Sequence, residues 1–431
     1  MYYCKRLLIL LFFLEPIMNP VKVLVIGAGG RGLGYSKYAK HFPHEMSVVG
    51  VAEPNPEKRE SFKVEFGLKD DVCFSDWEQA LKKEKFADAV IIATPDRMHF
   101  KPALLAMKQG YHILLEKPMS PSEEENRIIV EESKKINKVF SVCHVLRYTP
   151  YFRKIKKILD AGTIGDIVTV EHIEPVRYWH QAHSFIRGNW RNSDETSPMI
   201  LQKSCHDMDI FVWLTGKKAL KVSSFGSLKH FKPSNAPKGS SDRCLTCSIE
   251  PECPYSAVKQ YIGKPESDWT VRVITNDVSI EGRLKALREG PYGRCVYHCD
   301  NNVVDHQVVA LQMEDEITVS FTMTAFTNNY TDRRTRIMGT KGEIIGDSRF
   351  IDVHTFVDDF QDRIDTLVGG GDAGSGHGGG DFGLMYDFIR AVKKNDKNLV
   401  SSTPEMSLES HLMAFAAERS RVTGKTVDMK S

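Results

Sequence analysis

The sequence predicts an α/β protein: a doubly wound parallel sheet in its N-terminal part, followed by a second α/β domain. Three observations predict it. Short apolar runs alternate with polar, helix-like segments through the first 146 residues. Those runs are apolar on both faces, as strands covered by helices on either side must be. The chain's 431 residues also exceed what one core usually holds, so two domains are expected. Composition is that of an ordinary globular protein, 41% hydrophobic and 26% charged. A formal net charge of +2 carries no polyanion signature, and nucleic acid is set aside as a partner.

The elements follow in order. Residues 1–18 form an extension in which Lys5 and Arg6 precede the apolar run Leu7–Leu14. Eight apolar residues cannot span a bilayer, and no small-residue cleavage motif follows them. The extension reads as dispensable, with a targeting signal as the alternative. A cytoplasmic protein that does not engage membrane is expected. Val21–Gly27 is the first strand, and glycines follow it at once. Met46–Pro54 is a second strand, ending on Glu53. A helix opened by Pro56 and closed by Gly67 comes next, then one near Asp76. Ala87–Pro95, His112–Pro118 and Lys138–Val145 supply three more strands, with helices at His99–Gly110 and Ser120–Asn137 between them. This strict β–α alternation makes a parallel sheet.

Gly27, Gly29 and Gly32 fall at the spacing G-x-G-x-x-G between the first strand and its helix, with Gly30 and Arg31 at the intervening positions. Backbone amides converge on an anion there. Gly27 permits the tight turn, Gly29 lets a diphosphate reach the main chain, and Gly32 lets helix and strand pack closely. Glu53 lies about 20 residues further on, where a carboxylate holds both ribose hydroxyls of NAD and repels a 2′-phosphate. NAD is expected, NADP less so. Residues 19–146 therefore read as an NAD-binding Rossmann domain and 147–431 as a substrate domain.

Ends of later strands face the cofactor in such a sheet. Thr94 and Pro95 turn the chain beside it, and His99 opens the next helix, as a cofactor contact or simply as a helix-start residue. Glu116-Lys117-Pro118 is more pointed, because a lysine at the end of a buried strand is costly without partners or chemistry. The glycine motif, Glu53, Ala93–His99 and Glu116-Lys117-Pro118, in this order, resemble the Gfo/Idh/MocA oxidoreductase family, named for glucose–fructose oxidoreductase, inositol dehydrogenase and rhizopine catabolism protein. The similarity runs from about Val21 through nearly the whole chain. It implies a second domain with an open, mainly antiparallel sheet. One face of that sheet would carry the substrate and the other a subunit interface, making a homodimer or homotetramer. It also makes Lys117 catalytic, with Glu116 near the cofactor.

Residues after 146 fit that plan. Thr149–Asp166 is an amphipathic helix with Gly162 near its end, Ile167–Pro175 a strand, and Pro198–Gly216 reads as one helix carrying His206. In the family this helix carries Asp-x-x-x-His, whose histidine accepts the substrate's hydroxyl proton. His206 matches, but Gln202 stands at the aspartate position, with Lys203 beside it. Glutamine can hydrogen-bond a sugar but cannot take a proton, so His206 acts alone or with Lys203, Asp207 or Asp209. Arg147, Gln202 and Lys203 are further substrate candidates. The stretch Val176–Asn192 offers the flat rings of Trp179 and Trp190, and the polar groups of His180, His183, Arg187 and Arg191, to a sugar. The bland alternative is an ordered surface loop. Gly369–Phe382 is a flexible linker or a lid bringing His377 and Asp381 to the substrate. The remaining chain supplies alternating strands and two helices, Asp381–Asn395 and Pro404–Gly424.

Cys73, Cys143 and Cys205 read as core residues. Cys244, Cys247 and Cys253, with Cys295 or Cys299, lie in an apparent insertion near 240–300. A structural zinc on four thiolates, free or redox-paired thiols, and a catalytic thiol all fit this spacing. The leading functional expectation is NAD-dependent oxidation of a secondary alcohol in a sugar, polyol or sugar derivative, with His206 removing the hydroxyl proton assisted by Lys117. An NAD-dependent glycosidase working by transient oxidation and elimination, and a non-catalytic dinucleotide sensor, are the alternatives.

Overall fold

The computed structural model describes residues 19–328, 332–359, 361–367 and 377–430. The N-terminal extension and the glycine-rich segment up to residue 376 lie outside the described residues. Six parallel strands, β1 (Val21–Ile26), β2 (Met46–Ala52), β3 (Cys73–Phe74), β4 (Ala89–Ile92), β5 (His112–Leu115) and β6 (Phe140–Val142), form a sheet in the order β3-β2-β1-β4-β5-β6. The order reverses between β1 and β4, and ligands bind at the carboxyl ends of such a reversal. Five of these strands follow from their apolar runs. The edge strand β3 does not, because two residues carry no period. It leaves Cys73 half-buried, whereas Cys143 and Cys205 are core.

Local signals place the helices. Asn55 caps Pro56–Phe66 through the Lys58 amide, and Gly67 ends it at φ +64°. Ser122 caps Glu123–Lys135, whose first turn is all glutamate.

The second sheet has nine strands: β7 (Ile167–Pro175), β8 (Ala219–Ser227), β9 (His306–Met313), β10 (Thr318–Thr324), β11 (Arg334–Gly339), β12 (Gly342–Gly346), β13 (Phe350–Thr355), β14 (Gln361–Asp365) and β15 (Val427–Asp428). Their order is β14-β13-β12-β11-β7-β10-β9-β8-β15, antiparallel except for β7 beside β10. Phe152, Ile155, Met208, Phe211, Met413 and Ala417 of three helices (Pro150–Asp160, Cys205–Thr215 and Pro404–Thr423) share one core with Val170, Val309, Leu311, Ile337 and Ile344 of the sheet. On the opposite face Phe225 and Val308, cross-strand partners, remain 70% and 45% exposed.

Packing crosses the expected boundary at residue 146. Leu384, Met385, Phe388 and Ile389, on the helix Gly380–Lys394, share a core with Val23, Val25, Tyr35 and Tyr38 of the first domain. The Val142 amide donates to Ser402 O, and the Met119 amide to His411 Nε2. The C-terminal chain thus returns to complete the first domain.

Two local expectations are corrected. Tyr178–His180 is helical and runs into a π-helix, Gln181–Arg187, whose residues are all buried, so this stretch is no surface loop. The segment from Pro198 to Gly216 is two helices, Met199–Gln202 and Cys205–Thr215, broken at Lys203-Ser204. The insertion folds as a helical lobe, with Ala257–Tyr261, Trp269–Ile274 and Ile280–Glu289 around Cys244, Tyr261 and Leu287.

Candidate active site

The phosphate-binding turn is built by sterics. Gly27 sits at φ +93°, and a Cβ there would lie 2.5 Å from Ala93 O; one at Gly32 would lie 1.9 Å from Gly27 O. Both glycines serve the protein's own packing. At Gly29 and Gly30 a Cβ would meet nothing within 4 Å. That bare backbone faces open space and fits a diphosphate. Glu53 is buried at the end of β2, where its carboxylate accepts the amides of Ala28 (2.8 Å) and Asn55 (3.0 Å). These bonds fix the acid beside the glycine turn, as a ribose site requires.

Arg31 points elsewhere. Its guanidinium donates to Glu116 (2.7 Å) and in bidentate fashion to Asp381 (2.8 and 3.0 Å), and it also reaches the Tyr35 hydroxyl. His99 is fully buried, with its ring nitrogens on Pro118 O (2.7 Å) and Thr94 O (2.8 Å). It is a strut between two strand ends, with no nitrogen left for a cofactor. Thr94 Oγ1 donates to Met98 O, and Pro95 precedes the turn Asp96–Met98.

Glu116 and Lys117 end β5 under the second domain. Burial pushes the Glu116 carboxyl up, but Arg31 and Lys117 outweigh it and hold the group below the ordinary carboxylate range. Lys117 is half-buried and donates from Nζ to Gln202 O at 2.7 Å. His206 is 6% exposed; burial, then the Lys117 charge, hold its pKa well below the ordinary histidine value. It is therefore neutral at pH 7 and able to accept a proton. The His206 ring lies 6.0 Å from those of His144 and His377.

The helix break decides what surrounds it. Gln202 Nε2 donates to Thr196 Oγ1 (2.6 Å) and to Ser197 O, away from His206. Gln202 Oε1, Ser204 Oγ and His206 Nδ1 are buried without a hydrogen-bond partner among the described residues. Orphaned polar atoms are costly in a core and common where a polar ligand binds. Lys203 reaches Glu174 (3.4 Å); burial lowers its pKa, and Glu174 opposes the shift. Asp207 is engaged by Arg333 (2.6 Å) and His172 (3.1 Å), and Asp209 by Arg147 through two 2.6 Å bonds. Neither aspartate replaces the missing carboxylate by a direct bond to His206.

Several expected substrate contacts are corrected by packing. Arg147 is 2% exposed, its guanidinium held by Asp209 and Ser401 O, so it locks the core. His183 is buried on the Tyr261 hydroxyl (2.8 Å), Arg187 donates to Arg294 O and Tyr255 O, and Arg191 pairs with Asp300 and Glu195. Trp190 packs on Phe185. His183, Arg187 and Arg191 seat the insertion. His180, between Trp179 and Trp269, keeps the site's company, since Lys203 and His377 act on its ring electrostatically.

The zinc expectation is also corrected. Cys244, Cys247, Cys253 and Cys295 line one cavity of about 20 Å³, yet no three ligand side chains among the described residues are placed to hold a metal. The buried Arg187 cation lines the same cavity and donates to Cys244 Sγ (3.5 Å), supplying positive charge where an ion would sit. Cys299 turns to Cys295 O. Arg333, Glu174 and His144, which border the site, lie in strand and loop positions that carry no motif, and sequence reasoning missed them.

A sheet end of this kind, with a lysine and a neutral imidazole above it, defines a dinucleotide-dependent oxidoreductase as a class. The chain belongs to the Gfo/Idh/MocA oxidoreductase family. Its pattern for "oxidoreductase family, NAD-binding Rossmann fold" matches residues 21–144, and that for "oxidoreductase family, C-terminal alpha/beta domain" matches 156–429. The chain is 24% identical to the putative oxidoreductase YteT of Bacillus subtilis (strain 168), over 74% of this chain and 76% of that protein. It is 26% identical to scyllo-inositol 2-dehydrogenase (NAD(+)) of the same organism, over 53% of this chain and 63% of that protein. The fold superposes on levoglucosan dehydrogenase in complex with NADH and levoglucosan with a TM-score of 0.70 at 20% identity, covering 96% and 100% of the two chains. An oxidoreductase from Agrobacterium radiobacter in complex with NAD+, L-tartaric acid and magnesium gives 0.68 at 13% identity, covering 96% and 99%. At these identities the structural likeness concerns the fold. No helix among the described residues is long and apolar enough to cross a membrane.

Proposed function

We propose that this enzyme is an NAD-dependent dehydrogenase of a secondary alcohol in a sugar or polyol. The observation that carries the reading is the meeting of Lys117, neutral His206 and three orphaned polar atoms at the carboxyl end of the first sheet. NAD, when bound, supplies hydride acceptance at its nicotinamide ring. Gly29 and Gly30 present backbone to its diphosphate, and Glu53 takes the ribose hydroxyls and disfavours a 2′-phosphate. His206 accepts the substrate's hydroxyl proton, and Lys117 hydrogen-bonds the same oxygen as its carbonyl character grows. Gln202 Oε1 and Ser204 Oγ orient further hydroxyls. The levoglucosan and NADH bound in a structural relative, levoglucosan dehydrogenase, support a carbohydrate-sized alcohol. The bare sheet face centred on Phe225 and Val308 supports a homo-oligomer built through the second sheet.

A panel of sugars, polyols and aryl glycosides incubated with NAD+ tests the reading, with NADH absorbance and products followed together. NADH should accumulate with at least one polyol or sugar, and NADP+ should serve at least about tenfold less well. Release of aglycone without NADH would replace dehydrogenation with elimination chemistry, and well-folded protein silent across the panel would end both.

A further inference from the structure

His206 creates a difficulty for its own task. Once it has accepted a proton it becomes an imidazolium that is 6% exposed and faces the charge of Lys117, the two causes that hold it neutral beforehand. Turnover requires the proton to leave. Two rings neighbour it, each at 6.0 Å. His144 is fully buried, with Arg147 and Lys117 acting against its charged form, and leads only inward. The His377 side chain is 39% exposed and its Nδ1 lies 3.1 Å from Asp381 Oδ1.

Three successive residues of positive φ, His377, Gly378 and Gly379, deliver that ring immediately before the helix Gly380–Lys394, on whose first turn Asp381 stands. Asp381 is held in place by the bidentate Arg31 of the glycine turn, which also grips Glu116, the neighbour of Lys117. Cofactor turn, catalytic strand end and His377 thus form one connected network. Burial, with Arg31 and Lys203, holds His377 below the ordinary histidine value, and the Asp381 carboxylate opposes that shift by stabilising the charged ring.

We propose that His377, backed by Asp381, is the exit for the reaction's proton and does for this chain what Gln202 cannot do from the position of the missing carboxylate. The inference rests on the dehydrogenase reading above. In the oxidation the substrate's C–H and O–H bonds break and C=O forms. Hydride reduces NAD+ to NADH, the hydroxyl proton passes to His206, and from there through His377 to water. Across a 6.0 Å ring separation the transfer runs through one intervening water or a second, unreacted hydroxyl of the substrate. The groups acting on His377 are Asp381 on its own turn, Arg31 from the glycine turn (3.4 Å from Nδ1), Lys203 from the helix break, and the rings of His206 and His180. His377 is the proton-relay group and Asp381 a positioning residue.

The test uses the full chain with saturating NAD+. H377A should lower kcat by about tenfold to a hundredfold with KM and NAD+ affinity unchanged, and added imidazole should restore much of the loss. D381N should displace the acid limb of the kcat–pH profile downward by about one unit. Independently of turnover, nitrogen-15 imidazole titration of the NAD-loaded protein should show D381N lowering the His377 pKa and H377A altering that of His206. Failure of NADH to form across the panel would remove the dehydrogenase reading. An active enzyme whose rate ignores H377A and imidazole, or a His377 titration indifferent to D381N, would overturn the relay alone.

Discussion

Lys117 hangs from the end of a strand whose four residues are all buried, and its ammonium donates to Gln202 O. Methionine keeps the stem's packing and removes the ammonium. Lys117→Met should therefore lower kcat/KM by about 10² to 10⁴ while calorimetry finds NAD+ binding retained; a variant with undiminished turnover would remove Lys117 from the chemistry. Glu53 differs, since it contacts two amides and the proposed ribose site. Glu53→Ser should weaken NAD+ about tenfold, equivalent to about 1.4 kcal/mol, and narrow the preference over NADP+. An unchanged cofactor ratio would mean that the carboxylate does not read the ribose.

At the scale of elements, the site depends on breaks in regular structure. A continuous helix from Met199 to Thr215 would keep Gln202 and His206 one turn apart on a shared face. The break at Lys203-Ser204 instead turns Gln202 toward Ser197 and frees its carbonyl for Lys117. The element that carries His206 is anchored from below by Arg147 and Asp209, both fully enclosed. Removing one partner leaves the other buried and unpaired. Arg147→Met should cost about 3–5 kcal/mol by urea denaturation, and pairing it with Asp209→Leu should recover part of that loss. A single substitution as mild as a surface change would contradict the anchoring.

For the molecule as a whole, buried histidines set the response to acid. Burial brings His112 down to about 4, and His183 and His411 to about 3. The unfolded chain takes up these protons near pH 6.5, the folded chain only at the depressed values. Between those limits the unfolded state binds more protons. The contribution is thus complete above pH 6.5 and diminishes as pH falls, by about 1.4 kcal/mol per unit for each histidine. The urea midpoint should decline markedly from pH 7 to pH 5, and a flat profile would refute the assignment. Assembly is the other property at this scale. Phe225→Asp places a charge on the bare sheet face opposite Val308 and should shift sedimentation toward the monomer without altering the fold; a wild-type protein that already sediments as a monomer would dismiss the interface.

Much of this was legible along the chain because its causes are local. A glycine at positive φ, a proline opening a helix, a run apolar on both faces and a strand-end lysine each announce themselves within a few residues. Hence the parallel sheet and the glycine turn could be read in order, and so could the two proposed groups, Lys117 and His206. Arg147, His183 and Arg191 could not be sorted, since an arginine that binds a sugar and one that clamps a buried aspartate read alike until the partner, up to 109 residues away, is in place. The same holds for the cysteines, where spacing suggests an ion but a buried arginine from another element occupies the neighbourhood. Local propensity and periodicity determine which elements exist. Which polar group remains unpaired, and so available for chemistry, depends on long-range packing, because pairing and burial are properties of the assembled chain alone.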